Sequence, residues 1–244
     1  MSLLLLDHGN SRLKWCVLRR DGGQEFGVAL AGHQLSQLED IWRPLLPLRG
    51  ALGVSVGQAV ERGQIEAGCR SLGIALRWEH ASAAGADVAN GYQDSTQLGA
   101  DRWMALVAAR QRHRGAGVVV MAGTATTVDS LDPGGCFVGG MILPGLDMMR
   151  ASLTRHTARL PAVSVGRFDV QARSTQDAIY SGTLAATLGA IGMARERLGH
   201  GVMVLLGGGG HGQLAPYLSE PLQVCPELVL EGLACWAVRN PDAA

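Results

Sequence analysis

The chain has 244 residues, 47% of them apolar and 17% charged, with 21 basic residues against 21 acidic ones and a sequence pI near 7.0. That is ample apolar material for a packed core, so disorder is excluded as the main state, and the neutral balance leaves no electrostatic footprint for nucleic acid or an anionic membrane. Thirty-four glycines imply many tight turns and favour two compact domains over one.

Leu3 to Leu6 reads as an apolar strand, Asp7-His8-Gly9-Asn10-Ser11 as a polar loop and Arg12 to Leu18 as a second strand. A turn at Asp21-Gly22-Gly23 then leads into a third strand, Glu25 to Leu30. The opening leucines are too few for a signal-peptide core and lack a basic flank, and no apolar run approaches the ~20 residues of a membrane span. The five cysteines are odd in number and lack CxxC spacing, so they read as reduced core thiols and the expected compartment is the cytoplasm.

A helix is expected over Leu35 to Leu46, a strand over Gly50 to Ser55, a helix over Glu61 to Leu72 and a strand over Ala75 to Trp78. Ala100 to Arg112 carries Trp103, Leu106, Val107 and Arg110 at helical spacing, which gives it one packing side. From Val118 the opening plan repeats. A strand meets Met121-Ala122-Gly123-Thr124-Ala125, a second strand covers Thr126 to Leu131, and the turn Asp132-Pro133-Gly134-Gly135 precedes a third from Cys136 to Leu143.

Helices follow over Leu146 to Thr157 and Thr175 to Leu198, the latter started by Ser174 with Asp177 three residues on, as in a capping box. Val202 to Leu206 is a strand feeding Gly207-Gly208-Gly209-Gly210, and Cys235 lies in a closing helix. Three strands first and helices afterwards, twice over, describe a duplicated α/β fold. The expected domains are residues 1–115 and 116–244, facing each other across a cleft floored by glycine loops.

Three segments carry candidate chemistry. In Asp7 to Lys14 the backbone N–H groups can form an anion nest, Gly9 permits close approach, and Asp7 can hold a hydrated Mg²⁺, an ion that prefers few carboxylates plus substrate oxygens. An ordinary Asx-Gly turn accounts for the same residues. Of 21 basic residues twenty are arginine, so Lys14, the single lysine, stands out beside this loop as a phosphate-reaching ammonium. Gly123 to Thr127 is a second small-residue cradle. GxxxxGK[ST] does not occur, so neither loop is a P-loop. Gly207 to Gly212 satisfies GxGxxG after a strand, with Glu227 twenty residues beyond, which makes a dinucleotide site the rival interpretation. Against it, Pro216 and Pro221 leave the next helix little more than a turn or two. In Gly99-Ala100-Asp101-Arg102-Trp103, Asp101 either serves the helix dipole or accepts a proton from a hydroxyl nucleophile, with Arg102 holding an anionic substrate.

Taken in order, Asp7 to Ser11 with Lys14, Tyr92 with Leu98 to Trp103, Gly123 to Asp129, Gly139 to Gly145, and Thr157 to Pro161 with Ser174-Thr175 resemble the type III pantothenate kinases. These belong to the superfamily of acetate and sugar kinases and actin-like ATPases. The resemblance implies duplicated ribonuclease H-like domains with mixed sheets flanked by helices, and ATP-dependent phosphorylation of pantothenate to 4′-phosphopantothenate, the first step of coenzyme A synthesis. It implies that Asp101 is the general base. Tyr92, Gly99, Ala100, Asp101, Arg102 and Thr175 would hold pantothenate. Asp7, His8, Gly9, Asn10, Ser11, Arg12, Leu13, Lys14 and Thr124 would hold ATP with Mg²⁺. A homodimer is implied, with no nucleic-acid or membrane partner. The chain departs from the family pattern at Met121, where an Asp usually ligates K⁺ or NH₄⁺, and at Ser95, where a proline is common. The alternative function is that of a non-catalytic relative that binds nucleotide or pantothenate and regulates other proteins.

Overall fold

A computed structural model describes residues 2–199 and 201–240. It divides into two compact units, one spanning Met1–Gln111 with Leu228–Ala244 and the other Arg112–Glu227.

In the first unit β1 (Ser2–His8), β2 (Leu13–Leu18) and β3 (Gln24–Phe26) form an antiparallel meander. β4 (Leu48–Ser55) then joins β1 in parallel, and β5 (Leu76–Trp78) joins β4, so the strand order is β3-β2-β1-β4-β5. Side chains alternate between the two faces of a strand. Leu4 and Leu6 of β1 therefore meet Val17 and Trp15 of β2 on one face, where α1 (Leu38–Trp42) and α2 (Ala59–Ser71) contribute Leu38, Trp42, Ile65 and Cys69 to the core. Trp15 and Trp42 touch edge to face at 6.4 Å. The other face, with Leu3, Leu5, Cys16 and Leu52, is buried as well. Burial pushes the Cys69 thiol up to about 12, which fits an inert core cysteine.

The second unit repeats this plan. β8 (Gly117–Ala122), β9 (Ala125–Leu131) and β10 (Cys136–Pro144) are antiparallel. β11 (Met203–Gly207) adds to β8 in parallel and β12 (Leu222–Val224) adds to β11, giving β10-β9-β8-β11-β12. α4 (Leu146–His156) and α5 (Thr175–Leu198) lie between the third and fourth strands of this unit, and the short α6 (His211–Leu214) follows the fourth. Leu146, Leu184, Ile191 and Leu214 from these helices pack on Val118, Val120, Val128 and Leu206. The α5 start is as expected, since Ser174 Oγ accepts from the Asp177 N–H at 3.1 Å and donates to the Asp177 carboxylate at 2.9 Å.

Three differences from the sequence expectation have physical causes. The segment expected as a helix over 35–46 is α1 flanked by 3₁₀ turns at Gly32–Gln37 and Arg43–Leu45, with Pro44 inside the second. A proline there removes an amide donor and stops the α-helix. The two-strand ribbon of β6 (Ala84–Gly85) and β7 (Val88–Asn90) was not expected. Its turn residues Ala86 and Asp87 both have positive φ but lack the Asn-Gly signature of such turns. Finally, the expected boundary at 115/116 assigns the closing helix to the second domain, whereas α7 (Leu228–Arg239) packs on β1, β2 and β4 of the first unit.

α7 is held there by apolar fit. Leu228, Leu230, Leu233 and Trp236 are buried, and Trp236 meets Trp103 of α3 (Ala100–Arg112) edge to face at 6.2 Å. Trp236 Nε1 donates to the buried Glu79 carboxylate at 3.2 Å. Gly232 lets α7 approach α3 closely, because a Cβ at this position would overlap the Met104 carbonyl. Gly232→Ala is expected to cost about 1–3 kcal/mol through overpacking. For a chain of this size that lowers the thermal midpoint by roughly 2–4 °C per kcal/mol. Thermal unfolding followed by circular dichroism checks it, and an unchanged midpoint would mean that the two helices part without cost.

Candidate functional site

The first candidate loop is the turn of the β1–β2 hairpin. Gly9 N–H donates to the Arg12 carbonyl at 3.1 Å and closes the turn, leaving Asn10, Ser11 and Arg12 exposed. The pairing register sets Asp7 directly opposite Lys14. Opposed residues of an antiparallel pair share a face with Cβ atoms ~5 Å apart, so one carboxylate and the chain's single lysine stand side by side at the loop's base. His8 and Leu13 form the next pair and point to the opposite, buried face. They can therefore meet a ligand only through their backbone. His8 is 1% exposed; its Nδ1 lies 2.8 Å from Ser55 Oγ and its Nε2 lies 3.2 Å from Glu61 Oε2.

The second segment is the start of α3. Trp103 N–H donates to the Gly99 carbonyl at 2.9 Å, so Gly99 opens the helix and Asp101 falls in its first turn. The Asp101 carboxylate accepts from the Arg102 N–H at 2.8 Å. A side chain at position 99 would strike its Oδ1, and glycine leaves that space open. Burial raises the Asp101 pKa above the ordinary carboxylate value, against the smaller opposing pull of the Arg102 N–H and guanidinium. Arg102 is 5% exposed, donates to the Tyr92 hydroxyl at 3.1 Å and lies 5.6 Å from that ring's centre. Tyr92 is itself placed by an N–H bond to Asn90 Oδ1 at 3.1 Å. Tyr92, Gly99, Asp101 and Arg102, 10 residues apart at their ends, thus form one cluster with a half-buried carboxyl beside a held cation.

In the second unit the glycine loop sits on the end of β8. Gly208 has φ +82°, and a Cβ there would clash with the Ala122 backbone, while Gly210 N–H donates to the Ala122 carbonyl at 2.9 Å. Gly207–Gly210 is therefore packed against the residue that precedes Gly123-Thr124, and the Thr124 carbonyl accepts from Gly145 N–H at 2.9 Å. His211 Nδ1 lies 2.8 Å from the Gly208 carbonyl, which makes it a loop-closing histidine. The helix that follows has 4 residues and runs into a 3₁₀ turn at Ala215–Tyr217. A dinucleotide fingerprint needs a full helix whose N-terminus meets the pyrophosphate, so the GxGxxG match is a chance of spelling. Thr175 lines an apolar groove of about 590 Å³ between α4 and α5, together with Pro144, Met149, Leu153, Leu160 and Ile179.

Sequence reasoning missed two features. One is the His8–Ser55–Glu61 cluster. The other is Arg150, 2% exposed on α4, which donates to Gln213 Oε1 on α6 at 2.8 Å and to Asp147, and lies 5.4 Å from the centre of the Tyr180 ring. It ties the helix after Gly145 to the helix after the glycine loop. Its signal was an arginine on the buried side of an amphipathic helix, where charge is rarely left without a task.

Among the described residues no helix is long and apolar enough to cross a membrane, and no three His, Cys, Asp or Glu side chains gather as a metal site. Two units of one topology, each opening on an antiparallel three-strand meander, define the α/β fold of the actin-like class. Solved structures agree on the fold. A Baf family transcriptional activator from Campylobacter jejuni superposes with a TM-score of 0.64 at 22% identity, covering 98% of this chain and 99% of that one. A 2-dehydro-3-deoxygalactonokinase from Sinorhizobium meliloti superposes with a TM-score of 0.54 at 14% identity, covering 96% and 98%. The family model for type III pantothenate kinase matches residues 3–197, and the type III pantothenate kinase of Aromatoleum aromaticum is 44% identical over 244 residues, 99% of both chains. The chain belongs to the type III pantothenate kinase family.

Asp101→Asn tests the base. It keeps size and removes the proton acceptor, so kcat should fall ~10²- to 10⁴-fold while ATP binding stays near that of the parent. In the parent, the acidic limb of kcat/KM should lie above the ordinary carboxylate range. The sign of the stability effect follows from the raised pKa: the folded chain binds this proton more tightly than the unfolded chain, so the ionised group costs stability once pH exceeds the folded pKa. Asp101→Asn should therefore unfold at the same or a higher temperature at neutral pH, an advantage that shrinks on acidification. Turnover within a few-fold of the parent would remove Asp101 from the role.

Proposed function

We propose that the chain phosphorylates the primary hydroxyl of pantothenate with ATP, producing 4′-phosphopantothenate and ADP at the entry to coenzyme A biosynthesis. The observation that carries the reading is the half-buried Asp101, with its raised pKa, next to the Arg102–Tyr92 pair. Asp101 takes the hydroxyl proton as the oxygen bonds to the γ-phosphorus and the bond from that phosphorus to the β–γ bridging oxygen breaks. Arg102, Tyr92, Gly99, Ala100 and Thr175 hold pantothenate, whose carboxylate suits a guanidinium. The loop N–H groups of Asp7 to Lys14 and the hydroxyl of Thr124 hold the ATP phosphates, and the Lys14 ammonium reaches their oxygens. Phosphoryl transfer depends mainly on such alignment and charge neutralisation.

A single carboxylate beside Lys14 fits Mg²⁺, which takes one or two carboxylates and completes its shell with water and phosphate oxygens. Asp7 would hold it, and when bound it offsets negative charge on the β- and γ-phosphates. Leu153, which lines the groove with Thr175, and Met148 on the same helix are apolar yet exposed, which supports a homodimer. The cytoplasm, where reduced thiols are the rule, suits the five free cysteines.

A monovalent-cation site fits poorly. Met121, next to last in β8, stands opposite Thr127, and its thioether is a soft, neutral ligand for a hard ion. Asp129 shares that face but is fully buried and pairs with Val119, two residues back along β8 and ~7 Å away at the strand rise. We expect turnover with ATP, Mg²⁺ and pantothenate to depend little on K⁺, and Met121→Asp to introduce such dependence. A coupled assay titrating KCl against choline chloride at constant ionic strength checks both. Steep, saturable activation of the parent by K⁺ would contradict the cation reading, and ATP binding without product would return the non-catalytic alternative.

A further inference from the structure

His8 belongs to the phosphate loop by sequence and to the core by position. As the last residue of β1 it pairs with Leu13 on one side and Ser55 on the other, on the sheet face covered by α2. Its carbonyl accepts from Val56 N–H at 2.9 Å, so backbone and side chain grip the same segment after β4. The ring fills the space beside Gly57, where any Cβ would collide with Nε2 and with the Gly9 carbonyl of the loop itself. Glu61, at the first turn of α2 and only partly exposed, lies 3.2 Å from Nε2.

The hydrogen-bond chemistry is complete with a neutral ring. A carboxylate can only accept, so Nε2 carries the hydrogen and donates to Glu61. Nδ1 then accepts from the Ser55 hydroxyl at 2.8 Å. Both ring nitrogens are satisfied by partners from two other elements, as a buried polar group requires. Neither partner belongs to the β1–β2 hairpin.

We infer that His8 is a positioning residue for nucleotide binding: through Ser55 and Glu61 it fixes the base of the Asp7–Lys14 loop to β4 and α2, and so holds the loop amides and the Asp7–Lys14 pair ready for phosphate. The inference rests on the reading of this loop as the ATP site. Because Asp7 and His8 are neighbours in a strand, a ring that slips from its slot turns Asp7 with it. Preorganisation of this kind appears as affinity.

Direct ATP binding by isothermal titration calorimetry, with and without Mg²⁺, reads the effect apart from turnover. His8→Leu should weaken ATP binding and raise the KM for ATP about tenfold, the usual cost of losing a hydrogen bond to a charged group, with the KM for pantothenate within twofold of the parent. His8→Gln, whose amide reaches Glu61 from a position close to that of Nε2, should recover most of the loss. Adding Glu61→Ala to His8→Gln should then weaken ATP binding no more than Glu61→Ala does by itself. If His8→Leu does not fold, Ser55→Ala and Glu61→Ala, which leave the ring in place, carry the test at smaller amplitude. Parent-like ATP binding in a folded His8→Leu variant overturns the inference, as does equal loss for ATP and pantothenate. A parent chain that does not bind ATP overturns the underlying reading instead.

Discussion

The structure depends on the registration of the β1–β2 hairpin. A strand has a period of two, so the pairing that buries Leu4 and Leu6 against Trp15 and Val17 also sends Asp7 and Lys14 to one face and His8 to the other. A slip of one residue would bury the carboxylate and the ammonium and eject the histidine. Core packing and the proposed phosphate loop are thus set by one alternation, and the apolar residues that hold the register are the same ones that aim the polar loop. Each of these buried leucines contributes roughly 1.5–3 kcal/mol by leaving water. The loop is positioned by that burial before any ligand arrives.

The same device appears again in the second unit, where β8, β9 and β10 carry Gly123-Thr124 and the glycine loop folds onto Ala122. There the backbone does the fitting. Gly208 and Gly210 lie against one alanine because no side chain intervenes, and Arg150 braces the helices on either side through Gln213. The proposed base has a different origin. Asp101 rests on the N-terminus of a largely buried helix, and the space next to it exists because position 99 has no side chain. Burial raises the proton affinity of this carboxyl, which suits the proton-accepting role proposed for it.

Much of this was legible in the sequence. The two meanders, the strands that follow them and α3 are long, periodic or punctuated by Asp-Gly and Pro-Gly, and local signals of that strength survive tertiary packing. Weak signals did not. The Ala86-Asp87 turn has no glycine, and the 32–45 segment mixes helical periodicity with a proline. The side of the molecule chosen by α7 depends on Gly232 meeting Met104, a contact 128 residues long-range in sequence and invisible to periodicity. In the candidate site, residue types in order singled out Asp7, Lys14, Asp101 and Arg102 as candidates. The direction of each side chain required the register, which turns the His8 ring to the buried face and Asp7 and Lys14 to the other.

The most direct measurement is a crystal structure of the chain with pantothenate, Mg²⁺ and a non-hydrolysable ATP analogue. The account predicts an Asp101 carboxylate oxygen within hydrogen-bond reach of the primary hydroxyl of pantothenate, ~2.6–3.2 Å, with Lys14 on a phosphate oxygen and the His8 ring still between Ser55 and Glu61. A ternary complex in which that hydroxyl faces a different base, or in which the phosphates lie away from the Asp7–Lys14 loop, would contradict it.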